Sequence, residues 1–435
     1  MQDVPRGQDD RTTATGPATP VGSHARTLTP ASPVGCAGPG DDGRLFTPVF
    51  LLGFLYNFVI SLHFTNNALY PLFIVEEGGG VALVGLFMGV YAVAGVLARP
   101  LVGILLDRYG PRTVLIIGSL TLSIPALGYL LLIGQGLPLA VWVLRAVQGM
   151  GYGAHFSATF TLAASIAPEG RRTQAVALYG TSGLAGAMLG PLLGEVLIAG
   201  PGLPWFFTTM AGIGIIAAAI ISRITIPPRH AARFPRPSDI LALFRAPGMR
   251  PVLALAFLFG VVYTTPTAFL ATLSVLRSIL HFSLYFTAWG IAGILIRFVG
   301  GAWGDRVGLR RVLIPGFALY AAGMLLVHLS HSLPMLVLAG AVAGAAHGIT
   351  FPAVTSLGYS LAPKSMTGSS MAVITGLMDT GAAAVTLGAG PIAQRLGADI
   401  VFPLSAAAGV LALLMLVVSI LRNPRPILRG EALES

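Results

Sequence analysis

Gly103-Ile-Leu-Leu-Asp107-Arg108-Tyr-Gly110-Pro-Arg112 and Gly301-Ala-Trp-Gly-Asp305-Arg306-Val-Gly308-Leu-Arg310 are two copies of one pattern, 198 residues apart. Each copy separates two long apolar segments. An arginine precedes each first glycine by four residues, Arg99 in one copy and Arg297 in the other. A charged hairpin repeated between apolar helices implies a duplicated membrane protein with two similar halves.

Working outward from the hairpins, composition agrees. The chain is 55% hydrophobic and 10% charged, with a mean hydropathy of +0.81. A soluble domain carries about 25% charged residues. A helix needs about 20 apolar residues to span a bilayer, and the sequence supplies that length twelve times. The spans fall near 46–74, 81–105, 112–134, 137–166, 174–198, 203–226, 251–275, 284–304, 311–330, 333–361, 367–393 and 398–421. The expected fold class is all-α integral membrane, with twelve transmembrane helices in two pseudo-symmetric six-helix bundles. Fifty-five glycines suit close helix packing in lipid.

The net charge of +10 would suggest nucleic acid in a soluble protein. Its distribution argues otherwise. With the N-terminus inside, 21 of the 26 basic residues lie in the tails and the loops on that side. Arg277 and Arg395 are outside, and Arg99, Arg145 and Arg297 lie within spans. This bias is a positive-inside signal, so the basicity reports topology and nucleic acid is not an expected partner. The expected location is the plasma membrane (the inner membrane of a bacterium), with both termini cytoplasmic.

Residues 1–45, rich in Pro, Gly, Thr, Ser and Asp, read as a disordered cytoplasmic tail rather than a signal peptide. Residues 46–226 read as the first six-helix bundle, 227–250 as a basic cytoplasmic linker, 251–421 as the second bundle and 422–435 as a cytoplasmic tail. The single cysteine, Cys36, excludes intrachain disulfides and cysteine metal sites. At an offset of 195, Gly149, Gly153, Phe156 and Ala158 fall on Gly344, Gly348, Phe351 and Ala353, so span 4 matches span 10. Arg145 falls on Gly340. The halves share a scaffold and differ in chemistry.

Carboxylates are scarce within the spans. Of 16 Asp and Glu, only Glu195 and Asp379 lie well inside them, the others falling in the tails, in loops or, like Asp399, at loop mouths. An ionisable group in the membrane is expensive and faces a cavity or a partner, and a carboxyl there can bind and release a proton over a cycle. Asp379, near the middle of span 11, is the first candidate for proton coupling, and Glu195, nearer the outer end of span 5, the second. The bland alternative is a structural partner to an arginine or a backbone amide. Arg145, Gln148, Tyr152, His155 and Thr159 recur at spacings of three and four and share one face of span 4. Such a stripe faces a water-filled cavity or other helices. Span 1 has a comparable stripe of Tyr56, His63, Asn66 or Asn67, and Tyr70. Span 7 offers Tyr263, Thr264, Thr265 and Thr267, and span 10 His347, Phe351 and Thr355.

The hairpins resemble motif A of the major facilitator superfamily, in both halves. Leu144-Arg145-Ala-Val-Gln148-Gly149-Met-Gly151 resembles its motif B, and Gly186-Ala-Met-Leu-Gly190-Pro191-Leu-Leu-Gly194 its motif C. The combination is similar to the drug/metabolite:proton antiporters of the twelve-helix efflux branch. That resemblance implies a proton-coupled exporter working by alternating access. It implies proton coupling for Arg145, beside the residue reading of a clamp between spans 1 and 4. Spans 1, 4, 7 and 10 would surround a substrate cavity formed by Tyr56, His63, Asn67, Gln148, Tyr152, His155, Tyr263, Thr264, His347 and Phe351. A joint metal site of His63, His155 and His347 has no supporting local spacing, and no metal or cofactor is expected. The resemblance also implies a gating role for Gly103, Asp107, Arg108, Gly110, Arg112, Gly301, Asp305, Arg306, Gly308 and Arg310, with Asp107 approaching the start of span 11 and Asp305 that of span 5. Gly186, Gly190, Pro191 and Gly194 would let span 5 pack closely on span 8 and seal the path against leak.

Expected partners are the lipid bilayer, protons and a small-molecule substrate, with the chain a monomer. A symporter or facilitator for sugars, organic acids or metallophores is the nearest alternative. A non-transporting membrane sensor or assembly partner is another. An enzyme is not expected, because no nucleophile–base pair, phosphate loop or metal motif is present.

Overall fold

The computed structural model describes residues 45–168, 171–225, 243–245, 248–362 and 367–422. The side chains of 164, 172–173, 298–306 and 367–369 fall outside that description. So do the N-terminal tail as far as residue 44, most of the 227–250 linker and the C-terminal tail beyond 422.

The described residues are helical. The chain runs through α1 (Pro48–Thr65), a 3-10 turn (Asn66–Ala68), α2 (Tyr70–Glu76), α3 (Val81–Leu130), α4 (Leu139–Ile166), α5 (Arg172–Ala199) and α6 (Leu203–Ser222). It continues through α7 (Met249–Leu276), α8 (Leu284–Val307), α9 (Leu309–Leu329), α10 (Leu333–Leu361), α11 (Thr367–Leu396) and α12 (Val401–Arg422). Among the described residues, nine helical segments are long and apolar enough to cross a membrane.

Physical length turns these segments into twelve crossings. The Asn66–Ala68 turn breaks span 1, where Pro71 cannot donate to the preceding turn, and the whole span runs Pro48–Glu76. The 50 residues of α3 would extend about 75 Å at about 1.5 Å per residue, far beyond a hydrocarbon core of about 30 Å. Gly110 divides them. Its φ of 75° and ψ of 169° leave the helical region, and Pro111 follows. Gly308, with φ 88°, turns the chain in the same way between α8 and α9. Only glycine adopts such angles without strain, so both copies of the repeated pattern pivot on their last glycine. With α4 and α8 counted, the fold is twelve transmembrane helices in two pseudo-symmetric six-helix bundles.

Three apolar cores show how the halves meet. One joins residues of α1, α5 and α6 with the middle of α3 and α4 within the first half. A second lies within the other half, around Leu253, Phe259, Phe317 and Leu357. The third straddles the two, joining Tyr70, Phe73, Phe87 and Phe207 to Phe269, Phe282, Tyr285 and Phe402. Its residues flank the turns at the end of the molecule away from the hairpins. The halves are therefore packed together at that end and separately cored toward the hairpin end.

Contacts at the packed end are close. Gly85 of α3 lies against Gly390 of α11, where an added Cβ would meet Gly390 Cα and Thr386 O, both at 2.7 Å. The Ala82 N–H donates to Gln394 Oε1 at 3.2 Å. The Thr287 hydroxyl of α8 donates to the Met188 carbonyl of α5 at 3.1 Å.

Candidate functional site

Because the halves part toward the hairpins, a large cavity of about 2410 Å³ opens between them. Asp107, Arg108, Arg112, Ser165 and Tyr359 line it near the hairpin end, and Tyr91, Arg99, Tyr152, Tyr263 and Asp379 line it at mid-depth.

Asp379 is the carboxylate at mid-depth, and it is paired. Arg99 Nε donates to Asp379 Oδ2 at 3.1 Å, Arg99 Nη2 donates to the same oxygen, and Nη1 donates to Thr375 Oγ1 at 2.9 Å. Thr375 and Asp379 stand one turn apart on α11, so a single guanidinium engages both. The side chains are 11% and 18% exposed, enough for cavity water to reach them. The pair joins α3 of one half to α11 of the other, about three to four helical turns along from their tight Gly85–Gly390 contact. Sequence reasoning singled out Asp379 and missed Arg99 as its partner. The available signal was the matched position of Arg99 and Arg297 ahead of the two hairpins.

Arg145 is not in the cavity. It is 1% exposed and enclosed in its own half. Its Nε donates to the Phe87 carbonyl at 3.3 Å, Nη1 to Gln148 Oε1 at 3.2 Å, and Nη2 to Asn67 Oδ1. Three rings surround the guanidinium, with Phe87, Tyr91 and Tyr70 centroids at 4.2, 4.5 and 4.9 Å. Among the described residues no carboxylate pairs with it. Ring faces and carbonyl dipoles hold this charge instead. Gln148 completes the cage, donating to Tyr70 Oη at 2.8 Å and to the Leu122 carbonyl at 3.3 Å.

The expected ten-residue cavity is therefore corrected at three positions. Asn67, Tyr152, His155, Tyr263, Thr264, His347 and Phe351 line the cavity. Tyr56, His63 and Gln148 do not. Tyr56 is buried between helices, with its hydroxyl 3.1 Å from Ser119 Oγ and 3.2 Å from His155 Nδ1. His63 is 2% exposed inside the first half, with the Leu122 backbone beside its ring. A polar stripe on a membrane helix serves helix contacts as well as cavities, and these three belong to the contacts. Among the described residues no group of three or more His, Cys, Asp or Glu could hold a metal ion.

The second half supplies an aromatic wall. His347 Nδ1 lies 3.0 Å from the Tyr320 hydroxyl. Trp289, Tyr263 and Phe351 surround its ring, with centroids at 4.6, 5.2 and 5.6 Å. Phe259 stacks on Tyr263 at 5.8 Å. The first half answers with Asn57, which sequence reasoning overlooked. It donates to the Tyr179 carbonyl at 2.8 Å and to Ser182 Oγ at 2.7 Å, tying α1 to α5 at the cavity edge.

Glu195 also lies outside the cavity. Its two oxygens accept from the Phe282 and Ser283 amides, each at 3.1 Å, and from the Ser283 hydroxyl. These amides open α8, where the helix dipole favours a carboxylate. Glu195 thus fastens α5 to α8 at the packed end. The motif C glycines differ from expectation in their neighbour. Gly186 lies against Ser61 and Phe58, Gly190 against Thr65 and Leu62, and Gly194 against Asn66 and Leu69, all in span 1. The α8 contact falls to the adjacent face, where Gly290 lies against Leu184 and Met188. Pro191 is buried and borders the cavity.

At the hairpins, Asp107 and Arg108 are exposed, and Asp107 has no hydrogen bond or ion pair among the described residues. Gly103 is buried against the cavity, and Arg112 Nη2 donates to the Ser222 carbonyl. Gly301, Asp305 and Arg306 lie in α8, with side chains outside the described set, and Arg310 is half-buried. The approach of Asp107 to the start of α11, and of Asp305 to that of α5, involves side chains outside the description.

Comparison with known proteins places this arrangement. An uncharacterized MFS-type transporter of Mycobacterium tuberculosis is 31% identical over 180 residues, covering 41% of this chain and 30% of that protein. The chain thus spans less than a third of that relative's length. The multidrug resistance protein MdtG of Enterobacter lignolyticus is 28% identical over 288 residues, covering 63% of this chain and 67% of that protein. Among solved structures, a point mutant of the nucleoside transporter NupG superposes with a TM-score of 0.70 at 14% identity, covering 85% of this chain and 99% of that one. The family model described as Major Facilitator Superfamily matches residues 49–300 and 269–435. Twelve spans in two halves, with a mid-depth cavity between them, match that assignment, and the chain belongs to the Major Facilitator Superfamily.

Proposed function

We propose that this transporter exports a small molecule in exchange for protons, and that Asp379 is the proton site. The observation that carries the reading is the Arg99–Asp379 pair, which lines the cavity and joins the two halves. Protonating Asp379 removes its attraction for Arg99 and frees α3 from α11 at mid-depth. Losing the proton restores the pair. A carboxyl whose charge decides whether two halves are tied can couple proton binding to their rocking.

The positive-inside bias assigns the hairpin end to the cytoplasm. The cavity then faces the cytoplasm, and the end fastened by Glu195 and Gly85 faces outward. This is the state from which an exporter loads its substrate. Relatives named multidrug resistance proteins support export over uptake. Glu195, bound to amides away from the cavity, acts as an outer latch rather than as the proton site. Asp107 and Arg108, exposed in this state, are free to engage α11 when the cytoplasmic end closes. The chain works in this reading as a monomer in the plasma membrane, with both termini cytoplasmic.

Inverted membrane vesicles test the reading. Accumulation of a transported solute under an imposed proton gradient should fall to equilibration when a protonophore collapses that gradient. Accumulation unaffected by the protonophore contradicts proton coupling.

A further inference from the structure

The duplication gives Arg99 a counterpart in Arg297, and the two have unequal surroundings. Arg99 lies along Gly376 of α11, its Cδ 3.9 Å from where a Cβ would stand, and is answered one turn on by Asp379. Arg297 lies along Gly180 of α5, its Nη1 3.4 Å from the corresponding point. Gly180 stands 196 residues before Gly376, and at that spacing Gly183 occupies the place of Asp379. The acid is missing from this half. Arg297 lines the cavity, makes no hydrogen bond or ion pair among the described residues, and its Nε is buried without a partner there.

An unanswered guanidinium at membrane depth is costly. The cavity as a whole carries the same bias. Its charged lining among the described residues is four arginines and two aspartates, and at mid-depth Asp379 is consumed by Arg99. The geometry points to Arg297 as the binding site for an anionic group of the transported molecule, a carboxylate, sulfonate or phosphonate, with the aromatic wall around His347 taking its apolar part. A guanidinium presents paired N–H donors that match such oxyanions. Trp289, Tyr263 and Phe351 offer ring faces beside it. Arg297 lines the same cavity as Tyr320 and His347 of that wall. The inference rests on the cavity being the transport site and adds the substrate class.

Equilibrium binding to the purified full chain in detergent tests it, with radiolabelled salicylate and 2-naphthalenesulfonate as anionic probes and salicylamide as the neutral control. At least one anion should bind saturably, at least tenfold tighter than salicylamide. Arg297→Gln should weaken that anion at least tenfold and leave salicylamide unchanged, while Arg297→Lys keeps part of the affinity. Gly180→Asp should also abolish anion binding, because it places a carboxylate beside Arg297 in an otherwise open position. Thermal unfolding confirms that each variant is folded. Absence of anion binding to the wild type, equal binding of salicylamide, or unchanged anion affinity in both Arg297→Gln and Gly180→Asp overturns the inference. Arg297-dependent binding without any flux in proteoliposomes would leave the anion site standing and remove the transport reading. Flux of neutral or cationic solutes with no role for Arg297 would do the reverse.

Discussion

Arg145 and Arg99 solve one problem in two ways. Each is a guanidinium within a membrane span, where an uncompensated charge is expensive. Arg99 takes a carboxylate, and Arg145 takes three ring faces and a fork of carbonyl oxygens. The difference predicts different responses to substitution. Arg145→Lys keeps the charge and loses the fork, so Asn67, Gln148 and the Phe87 carbonyl lose partners. Thermal unfolding in detergent should show a loss of about 1–3 kcal/mol, the usual cost of breaking a buried polar network. For the other pair, Arg99→Gln and Asp379→Asn each strand one partner, whereas the double variant strands none. A double-mutant cycle on the same readout should give a favourable coupling energy of about 1–3 kcal/mol. Additive effects would mean that the pair contributes nothing beyond its separate side chains. Asp379 could be found in the sequence because intramembrane acids are few. The matched positions of Arg99 and Arg297 mark the arginine, but the pairing itself is not legible, since 280 residues separate the two and helix packing alone brings them together.

At the scale of elements, the twelve spans and both hairpins are legible because bilayer thickness dictates apolar length and glycine dictates where the chain turns. Gly110 and Gly308 stand at positive φ where the repeated pattern places them. Which face of a span meets which neighbour is not legible. The motif C glycines lie against span 1, and α8 is met by the adjacent face, because a helix that is apolar all round carries no mark of its partner. Polar stripes are ambiguous for a related reason. Tyr152 and His155 reach the cavity, while Gln148 on the same stripe serves a helix contact. The contacts that close the packed end are specific enough to test. Gly85→Leu places a side chain against the backbone of Gly390, and Glu195→Ala removes the acceptor from the start of α8. Both should shift the population away from the state with an open hairpin end. In a Cys36→Ser background, a cysteine placed at Ser356, which lines the cavity, should react several-fold more slowly with a membrane-impermeant maleimide from that side. An unchanged rate would mean that these contacts do not hold the packed end shut.

The whole molecule is a duplicated scaffold with unduplicated charges. Hairpins, span glycines and the arginines ahead of the hairpins repeat between halves, while Arg145, Asp379 and Glu195 do not. Among the described residues, the cavity therefore has the Arg99–Asp379 pair on one side and, on the other, Arg297 with no partner carboxylate. On the proposed reading, rocking two similar halves uses a joint whose strength changes with a bound species, and Asp379, the mid-depth carboxylate among the described residues, is the joint that a proton would loosen. The most direct measurement is internal pH, reported by an entrapped dye, in proteoliposomes containing the wild type or Asp379→Asn as transported solute is added. Coupled exchange predicts solute-evoked proton movement in the wild type and its loss in Asp379→Asn, with solute-for-solute exchange retained. Equal proton movement in both proteins, or solute flux with no proton movement in the wild type, would contradict Asp379 as the proton site.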